Sequence, residues 1–170
     1  FRPTGEWRGH WTGTLIAPAD DCIVLPKGVN LEQAAMFCVN PLTAHCLLTL
    51  FEALEPGDVV VQNMANSGVG RSVIQLANAM GIETINLVRS LDQTESLLAD
   101  GATHVLVDAL GVSKDIKALT NGKRVKLGLN GVGGQSAIEV AKSLSEKGTL
   151  VTYGAMSKDP ITVSNGQLIY

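Results

Sequence analysis

Residues 59–81, with the sequence VVVQNMANSGVGRSVIQLANAMG, decide the fold of this chain. The apolar, β-branched run at 59–62 is typical of a buried strand. From residue 71 to residue 80 the apolar positions recur with the period of a helix, and Gly81 provides a stop signal. A polar segment containing Gly68 and Gly70 separates the two patterns. We therefore predict a strand, a glycine-bearing turn and a helix in immediate succession.

The same alternation continues along the chain. The predicted strands cover residues 59–62, 84–88, 105–107, 125–129 and 149–153. The predicted helices cover residues 71–80, 92–99, 113–119 and 136–144. Apolar strands alternating with amphipathic helices indicate an α/β fold in which a parallel sheet is covered on both faces. Right-handed crossovers then give a doubly wound parallel sheet of the Rossmann type.

The first part of the chain has a different character. Residues 1–29 contain short apolar alternations such as TGTLIAP and DCIVLP. These predict small strands and turns, which we interpret as the end of another domain. Residues 32–51 predict two helical pieces that meet at Asn40 and Pro41, because proline disfavours helix at the residue before it. We assign residues 1–38 to the remnant and its connector, and residues 39–170 to a Rossmann-type domain truncated before its last strand.

The composition excludes several classes of partner. The chain is 45% hydrophobic and 17% charged, which is typical of a soluble α/β protein. Its net charge of -3 provides no basic field, so we exclude nucleic acid and an anionic membrane surface as main partners. No apolar run approaches the roughly 20 residues that span a bilayer.

The cysteines and histidines do not predict a metal site. The cysteine spacings match no zinc signature, and an odd number argues against a secreted disulfide framework. The histidines have no partners at ligand spacing, so we interpret them as structural or surface residues and expect no metal. These residues are Cys22, Cys38, Cys46, His10, His45 and His104.

The turn after the first strand is the candidate binding site, because ligands of doubly wound sheets bind beyond the carboxyl ends of the strands. The segment Ser67-Gly68-Val69-Gly70 places two glycines there, and the free N–H groups of the following helix suit a pyrophosphate. The pattern is not a full GxGxxG, because Ala65 occupies the first glycine position. Asn66 and Ser67 are predicted to add side-chain hydrogen bonds. A glycine-bearing turn without a ligand is the alternative.

Arg89 indicates which dinucleotide would bind. The end of the second strand, Asn86-Leu87-Val88-Arg89-Ser90, has no acid to hold a ribose 2′-hydroxyl. A guanidinium suits a 2′-phosphate, so the sequence favours NADP(H) over NAD(H), the alternative being a solvated arginine. Two later loops, at residues 130–134 and 153–157, are predicted to lie at the same edge of the sheet, near the nicotinamide half or as plain turns.

Several motifs together resemble one family. They are Asn40-Pro41-Leu42-Thr43-Ala44, Gln62-Asn63 with Asn66-Ser67-Gly68-Val69-Gly70, Leu87-Val88-Arg89, Leu129-Asn130 with Val132-Gly133-Gly134, and Thr152-Tyr153-Gly154 with Met156. In this order they resemble the mitochondrial trans-2-enoyl-CoA (enoyl-thioester) reductases, zinc-free members of the medium-chain dehydrogenase/reductase superfamily. The resemblance runs over nearly the whole chain.

The resemblance implies an activity, a location and an assembly. It implies NADPH-dependent reduction of 2-enoyl thioesters on coenzyme A or acyl carrier protein, in mitochondrial fatty acid synthesis. Hydride would pass to Cβ and a proton to Cα. It also implies that residues 1–38 belong to a GroES-like catalytic domain and that the full-length protein is a homodimer.

The resemblance also implies roles for individual residues. Asn40 and Thr43 would lie near the nicotinamide, Asn66, Ser67, Gly68 and Val69 would line the pyrophosphate, and Arg89 would take the 2′-phosphate. Tyr153, Gly154, Ala155 and Met156 would pass along the cofactor. The family's proton-donating tyrosine would lie before Phe1, so we assign no catalytic residue to this chain and expect no measurable reduction by it alone.

Two departures from the family pattern and two alternatives remain. Arg89-Ser90-Leu91 replaces the usual Arg-Asp-Arg, which weakens the preference for NADPH, and Ala155 replaces a glycine. A quinone oxidoreductase of the same superfamily shares the Gly-Val-Gly turn. A non-catalytic dinucleotide-binding module is the alternative from a different class.

Overall fold

The computed structural model describes residues 13–162 of the chain. Helices and strands alternate as the sequence predicts. The helices are α1 (Leu31–Phe37), α2 (Asn40–Thr49), α3 (Gly68–Ala79), α4 (Thr94–Ala99), α5 (Val112–Thr120) and α6 (Gly134–Ser143). The strands are β1 (Val59–Gln62), β2 (Glu83–Val88), β3 (His104–Val107), β4 (Val125–Asn130) and β5 (Thr149–Thr152).

All five strands are parallel and form one sheet in the order β3-β2-β1-β4-β5. The predicted doubly wound α/β fold is thereby confirmed. The chain winds outward from β1 in one direction through β2 and β3, and then in the other through β4 and β5. The order reverses between β1 and β4, and the crevice at the carboxyl ends of these two strands is the expected place for a ligand.

Both faces of the sheet are buried, because alternate strand residues point to opposite sides. On one face Val60 and Leu127 pack with α2 and α3, whose buried residues include Leu47 and Val73. On the other face Val61 and the neighbouring strands pack against α5 and α6. Helices therefore cover the sheet on both faces, and this packing holds the loops at its carboxyl edge in place.

The helix after β1 begins earlier than predicted. It starts at Gly68 instead of residue 71, because the Ser67 hydroxyl accepts a hydrogen bond from the Gly70 N–H at 3.0 Å and caps the helix. Gly68 and Gly70 consequently lie in the first turn of α3 and not in a loop before it.

The prediction of small strands near the start of the chain is wrong for the described residues. Residues 13–29 contain no strand, and their only regular element is a short 3-10 turn at Ala19–Asp21. The break between two helices at Asn40 and Pro41 is confirmed, since α1 ends at Phe37 and α2 begins at Asn40. Residues 1–12 and 163–170 lie outside the described part. The boundary at residue 38 stays a prediction.

Candidate functional site

Two buried asparagines join the loops on either side of the switch point. Asn63 follows β1 and Asn130 ends β4, and the Asn63 Nδ2 donates to the Asn130 Oδ1 at 2.8 Å. The Asn63 Oδ1 in turn accepts the Gly131 N–H at 2.7 Å, and the Asn130 Oδ1 also accepts the N–H groups of Val132 and Gly133. These bonds fix the backbone on both sides of the crevice.

The first turn of α3 is tied to the sheet beneath it. The Gln62 Nε2 donates to the Gly70 carbonyl at 2.9 Å and to the Asn86 Oδ1 at 2.8 Å. A Cβ on Gly70 would lie 2.5 Å from the Ala65 carbonyl oxygen, so this glycine serves the packing of helix against turn. The N–H groups of Gly68 and Val69 find no acceptor in the described part of the chain. The amino end of α3 is thus firmly placed and still open to an anion.

Asn40 lies against this glycine turn. A Cβ on Gly68 would come within 2.3 Å of the Asn40 Nδ2, so the amide packs where a side chain would otherwise stand. Asn40 begins α2, which packs along α3. The structure therefore brings together two residues predicted for the site from well-separated parts of the sequence.

Tyr153 reaches the crevice from the carboxyl end of β5. Its hydroxyl lies 3.0 Å from the position that a Cβ on Gly131 would take, and the Met64 Cε lies 2.9 Å from the same point. Met64 itself has a φ of 53°, a left-handed conformation that few side chains adopt. The Tyr153 hydroxyl is buried and has no hydrogen-bond partner among the described residues. Burial raises the pKa of Tyr153, and the nearby Ser67 hydroxyl partly offsets this rise. The phenol remains protonated at neutral pH and is available as a donor.

The segment after Tyr153 packs on the loop after β4. A Cβ on Gly154 would lie 2.9 Å from the Gly131 carbonyl oxygen, and the Met156 N–H donates to that oxygen at 3.1 Å. Ala155 and Met156 have exposed side chains. The two later loops therefore form one wall of the crevice, as their predicted position at the same edge requires.

Arg89 and Asn66 are exposed, and Arg89 directly follows β2 at the same edge of the sheet. The Arg89 side chain makes no hydrogen bond or ion pair among the described residues. Arg71, by contrast, is engaged: it binds Asp100 at 2.6 Å and Ser96 at 2.9 Å. Of these two arginines, Arg89 has the side chain that is free to meet a ligand.

Thr43 lies farther along α2 and is half buried. With Cys46, Val151 and Tyr153 it lines a cavity of about 640 Å³ between α2 and β5. Tyr153 is thus shared between this cavity and the crevice.

The residue-by-residue prediction did not assign Asn63 or Asn130 a role in the site, although both belong to the quoted motifs. A local signal exists, because each is a polar residue directly at the end of a central apolar strand. This signal does not reveal that the two side chains bond to each other, because they are 67 positions apart in the sequence.

The family comparison matches residues 68–170 of the chain, which is more than half of it, to the family described as zinc-binding dehydrogenase. In the described residues no group of three His, Cys, Asp or Glu side chains could hold a metal ion, so no ligand set for zinc is found there.

Among curated relatives, the chain is 41% identical to the mitochondrial enoyl-[acyl-carrier-protein] reductase of Xenopus tropicalis, over 99% of this chain and 49% of the relative. The chain thus spans about half the length of the curated relatives it matches. The predicted resemblance to the mitochondrial enoyl reductases is confirmed.

Among solved structures, two enoyl reductases align with 85% of this chain at 34% identity and a TM-score of 0.78, covering 43% of each. They are the Etr1p/Etr2p heterodimer of mitochondrial 2-enoyl thioester reductase from Candida tropicalis and the Etr1p complex with NADP and crotonyl-CoA. A quinone oxidoreductase from Pseudomonas syringae aligns with 86% of this chain and 45% of its own, at 29% identity and a TM-score of 0.76. The chain therefore belongs to the zinc-binding dehydrogenase family, in the medium-chain dehydrogenase/reductase superfamily, and its match begins at the glycine turn that opens α3.

Proposed function

We propose that this chain is the NADPH-binding part of a mitochondrial 2-enoyl thioester reductase. Such an enzyme reduces trans-2-enoyl thioesters of coenzyme A or acyl carrier protein to acyl thioesters in fatty acid synthesis. The observation that carries the proposal is the open amino end of α3 at the switch point, beside the unpartnered hydroxyl of Tyr153. The likeness to the Xenopus reductase over nearly the whole chain supports the same conclusion.

The residues around the crevice fit a dinucleotide. The open N–H groups of Gly68 and Val69, with Asn66 and Ser67 beside them, suit a pyrophosphate. Tyr153 supplies a buried donor without a partner, which favours a ligand that accepts a hydrogen bond. Asn40 and the segment of Gly154, Ala155 and Met156 would flank the nicotinamide half.

Arg89 would hold the 2′-phosphate that distinguishes NADPH from NADH. Its guanidinium is exposed at the end of β2, and Ser90 beside it is also exposed, with its hydroxyl accepting the Asp92 N–H at 3.3 Å. Arg89 stands without the second arginine of the family pattern, so the preference rests on this one side chain.

Bound NADPH would supply a hydride to Cβ of the enoyl thioester. The contribution of this chain's residues is positioning: the crevice walls hold one face of the site and exclude water from it. We assign no proton donor within this chain, and Tyr153 serves as a hydrogen-bond donor whose raised pKa keeps its proton in place.

The relatives support a substrate class and a location for the full-length protein. Crotonyl-CoA is present in the Etr1p complex, and the curated relatives are named as mitochondrial. We propose the same substrate class and compartment for the full-length protein. We also propose that it forms a homodimer, whereas the solved Candida tropicalis assembly pairs two different chains. Sedimentation of the full-length protein at the mass of one subunit would contradict this assembly.

The activity test compares substrates and cofactors in the full-length protein. Oxidation of NADPH and of NADH is followed separately with crotonyl-CoA and with a quinone. We expect turnover of crotonyl-CoA with NADPH. Activity with the quinone alone would indicate a quinone oxidoreductase instead. This is the second candidate function, because the chain is also similar to the Pseudomonas syringae quinone oxidoreductase.

The cofactor test uses two arginine variants of the 170-residue chain. Arg89→Ala should weaken NADPH binding by about 1.5–3 kcal/mol, the range for a hydrogen bond to a charged group, and leave NADH binding unchanged. Arg71→Ala is the matched control, because Asp100 and Ser96 already occupy that side chain. An equal loss of affinity for NADPH and for NADH in Arg89→Ala would show that Arg89 does not bind the 2′-phosphate.

A further inference from the structure

Asn63 is a fully buried carboxamide whose polar atoms are all engaged. Its Nδ2 donates to the Asn130 Oδ1 and to the Ser136 Oγ, both at 2.8 Å, and its Oδ1 accepts the Gly131 N–H at 2.7 Å. Rotation of the amide by 180° would turn its N–H groups toward the Gly131 N–H and its oxygen toward the Asn130 oxygen. The orientation of Asn63 is therefore determined by its neighbours.

Ser136 supports this orientation from the first turns of α6. A serine hydroxyl has one proton, and because the Ser136 Oγ accepts from Asn63, its own proton is directed to another acceptor. That acceptor is the Asp108 Oδ2, at 2.5 Å. Asp108 follows β3, at the opposite end of the sheet order from β5. A chain of hydrogen bonds thus runs from Gly131 through Asn63 and Ser136 to Asp108.

This chain of bonds connects the crevice to a carboxylate that lies outside the described cofactor walls. Asp108 is half buried, and burial together with the charge of Glu139 raises the pKa of its carboxyl, against a smaller opposing effect of the Ser136 hydroxyl. Partial burial of the ionised Asp108 carboxylate costs free energy, and the structure shows no ion pair that would offset this cost among the described residues. The bond from Ser136 is the one hydrogen bond found for the Asp108 carboxyl in the described part of the chain.

We infer that Ser136 and Asp108 are positioning residues for the dinucleotide crevice. They hold the Asn63 amide in the orientation that binds Gly131, and through it they set the separation of the loops after β1 and β4. Neither residue has to touch the cofactor. The inference rests on the proposed function only for the identity of the ligand, because the bond chain itself exists without one.

Removal of the Ser136 hydroxyl tests this role. In Ser136→Ala one N–H of the fully buried Asn63 loses its acceptor, which makes the buried position of the amide less favourable and weakens its hold on the Gly131 N–H. Ser143→Ala is the matched control. Ser143 is a buried serine on the same helix, but its hydroxyl donates within the helix to the Val140 carbonyl at 2.6 Å.

A second pair of variants changes Asp108, the last residue in the series of hydrogen bonds. Asp108→Ala removes the acceptor of the Ser136 proton, whereas Asp108→Asn keeps a carboxamide oxygen in its place. We expect Asp108→Ala to behave like Ser136→Ala and Asp108→Asn to resemble the unmodified chain. This pair decides the question if Ser136→Ala does not fold.

The first measurement is hydrogen exchange of the Gly131 amide by NMR in the 170-residue chain without ligand. We expect about tenfold faster exchange in Ser136→Ala, corresponding to the loss of roughly one hydrogen bond, and no change in Ser143→Ala. Unchanged exchange in both Ser136→Ala and Asp108→Ala would overturn the inference.

The second measurement is NADPH binding by the same variants, followed by cofactor fluorescence. We expect about tenfold weaker binding in Ser136→Ala and an unchanged Kd in Ser143→Ala. Faster exchange with an unchanged Kd would overturn the link between the bond chain and the cofactor. Failure of the folded, unmodified chain to bind NADPH would count against the proposed function, while the exchange of Gly131 would still decide whether Ser136 and Asp108 position the loop.

Discussion

Gly68 and Gly70 stand two residues apart in the first turn of α3, yet a side chain at each would meet a different obstacle. At Gly70 the nearest atoms belong to the Ala65 backbone, the closest at 2.5 Å. At Gly68 they belong to the Asn40 side chain, the closest at 2.3 Å. Backbone inside a packed turn cannot move aside, whereas an amide at the surface of the crevice can rotate away.

The two glycines should therefore differ in what they cost when replaced. We expect Gly70→Ala to lower the free energy of unfolding by about 1–3 kcal/mol, even though alanine is the better helix former. Gly68→Ala should have a smaller effect on stability, and Asn40→Ala should remove what remains of it in the double variant. Urea denaturation of the four variants measures this. A Gly68→Ala loss as large as that of Gly70→Ala, unrelieved by Asn40→Ala, would show that the turn itself cannot adapt.

At the residue scale, sequence patterns predicted the position of the site better than its contacts. Gly68, Ser67 and Tyr153 lie at the carboxyl edge because β1 and β5 end there, and strand ends can be read from apolar runs. The bond between Asn63 and Asn130 cannot be read in this way, because side chains 67 positions apart leave no local signature of their pairing. The same holds for the bond between Ser136 and Asp108.

At the scale of elements, the helices and strands from β1 onward were predictable because each has its own period and its own stop signal. The sequence predicts the start of α3 too late, because glycines favour turns, whereas the Ser67 cap brings Gly68 and Gly70 into the helix. The strands predicted within residues 13–29 are wrong for another reason. Alternating apolar residues describe a strand only where a partner strand exists, and none pairs with them in the described part of the chain.

One buried carboxylate joins helices α5 and α6. Glu139 on α6 accepts the Ser113 N–H at 3.2 Å and the Ser113 hydroxyl at 2.8 Å, both in the first turn of α5. Burial alone would raise the pKa of Glu139, but the hydrogen bonds from Ser113 and Lys142 outweigh it and hold the pKa below its ordinary value of 4.5. The ionised carboxylate therefore stabilises the packing of the two helices.

The stability that Glu139 contributes should depend on pH in one direction. Because its pKa is lowered in the folded state, the contribution is complete above the ordinary pKa of 4.5 and is lost as the pH falls through the lower, folded value. We expect Glu139→Gln to cost about 1–3 kcal/mol at pH 7, and the difference from the unmodified chain to shrink below pH 4.5. Denaturant melts between pH 7 and the acid limit of folding measure this.

Lys142→Ala is the control for the carboxylate itself. The Lys142 side chain is 45% exposed, so its ion pair with Glu139 should contribute little, on the order of 0–1 kcal/mol. A constant difference between Glu139→Gln and the unmodified chain at every pH would contradict an ionised Glu139 as the source of the effect.

At the scale of the whole molecule, the buried core and the apolar groove near the start of the described residues lie in different parts of the chain. Among the described residues the first fully packed side chain is Ala44, on α2. Before it, Ile23, Leu25 and Phe37 are exposed and line an apolar groove of about 670 Å³. A segment without buried side chains adds little to the free energy of unfolding. Because residues 13–38 contain no buried side chain, we expect the boundary of the sheet-forming domain to lie near residue 38.

A truncation series tests this boundary. A chain comprising residues 39–170 keeps all of α2. We expect its free energy of unfolding to lie within about 1 kcal/mol of that of the full 170-residue chain, since none of the described residues that it lacks, 13–38, is buried. A chain comprising residues 51–170 loses Ala44, Leu47 and Leu48, all buried against the sheet. The two leucines alone account for about 1.5–3 kcal/mol each, a large part of the 5–15 kcal/mol that stabilises a typical domain. We expect this shorter chain to be unfolded or nearly so. Urea denaturation measures the stability of the two truncated chains, and far-ultraviolet circular dichroism without urea shows whether each of them is folded. Unfolding of the 39–170 chain would show that the exposed segment stabilises the fold through contacts beyond burial, and the boundary would then lie nearer the start of the chain.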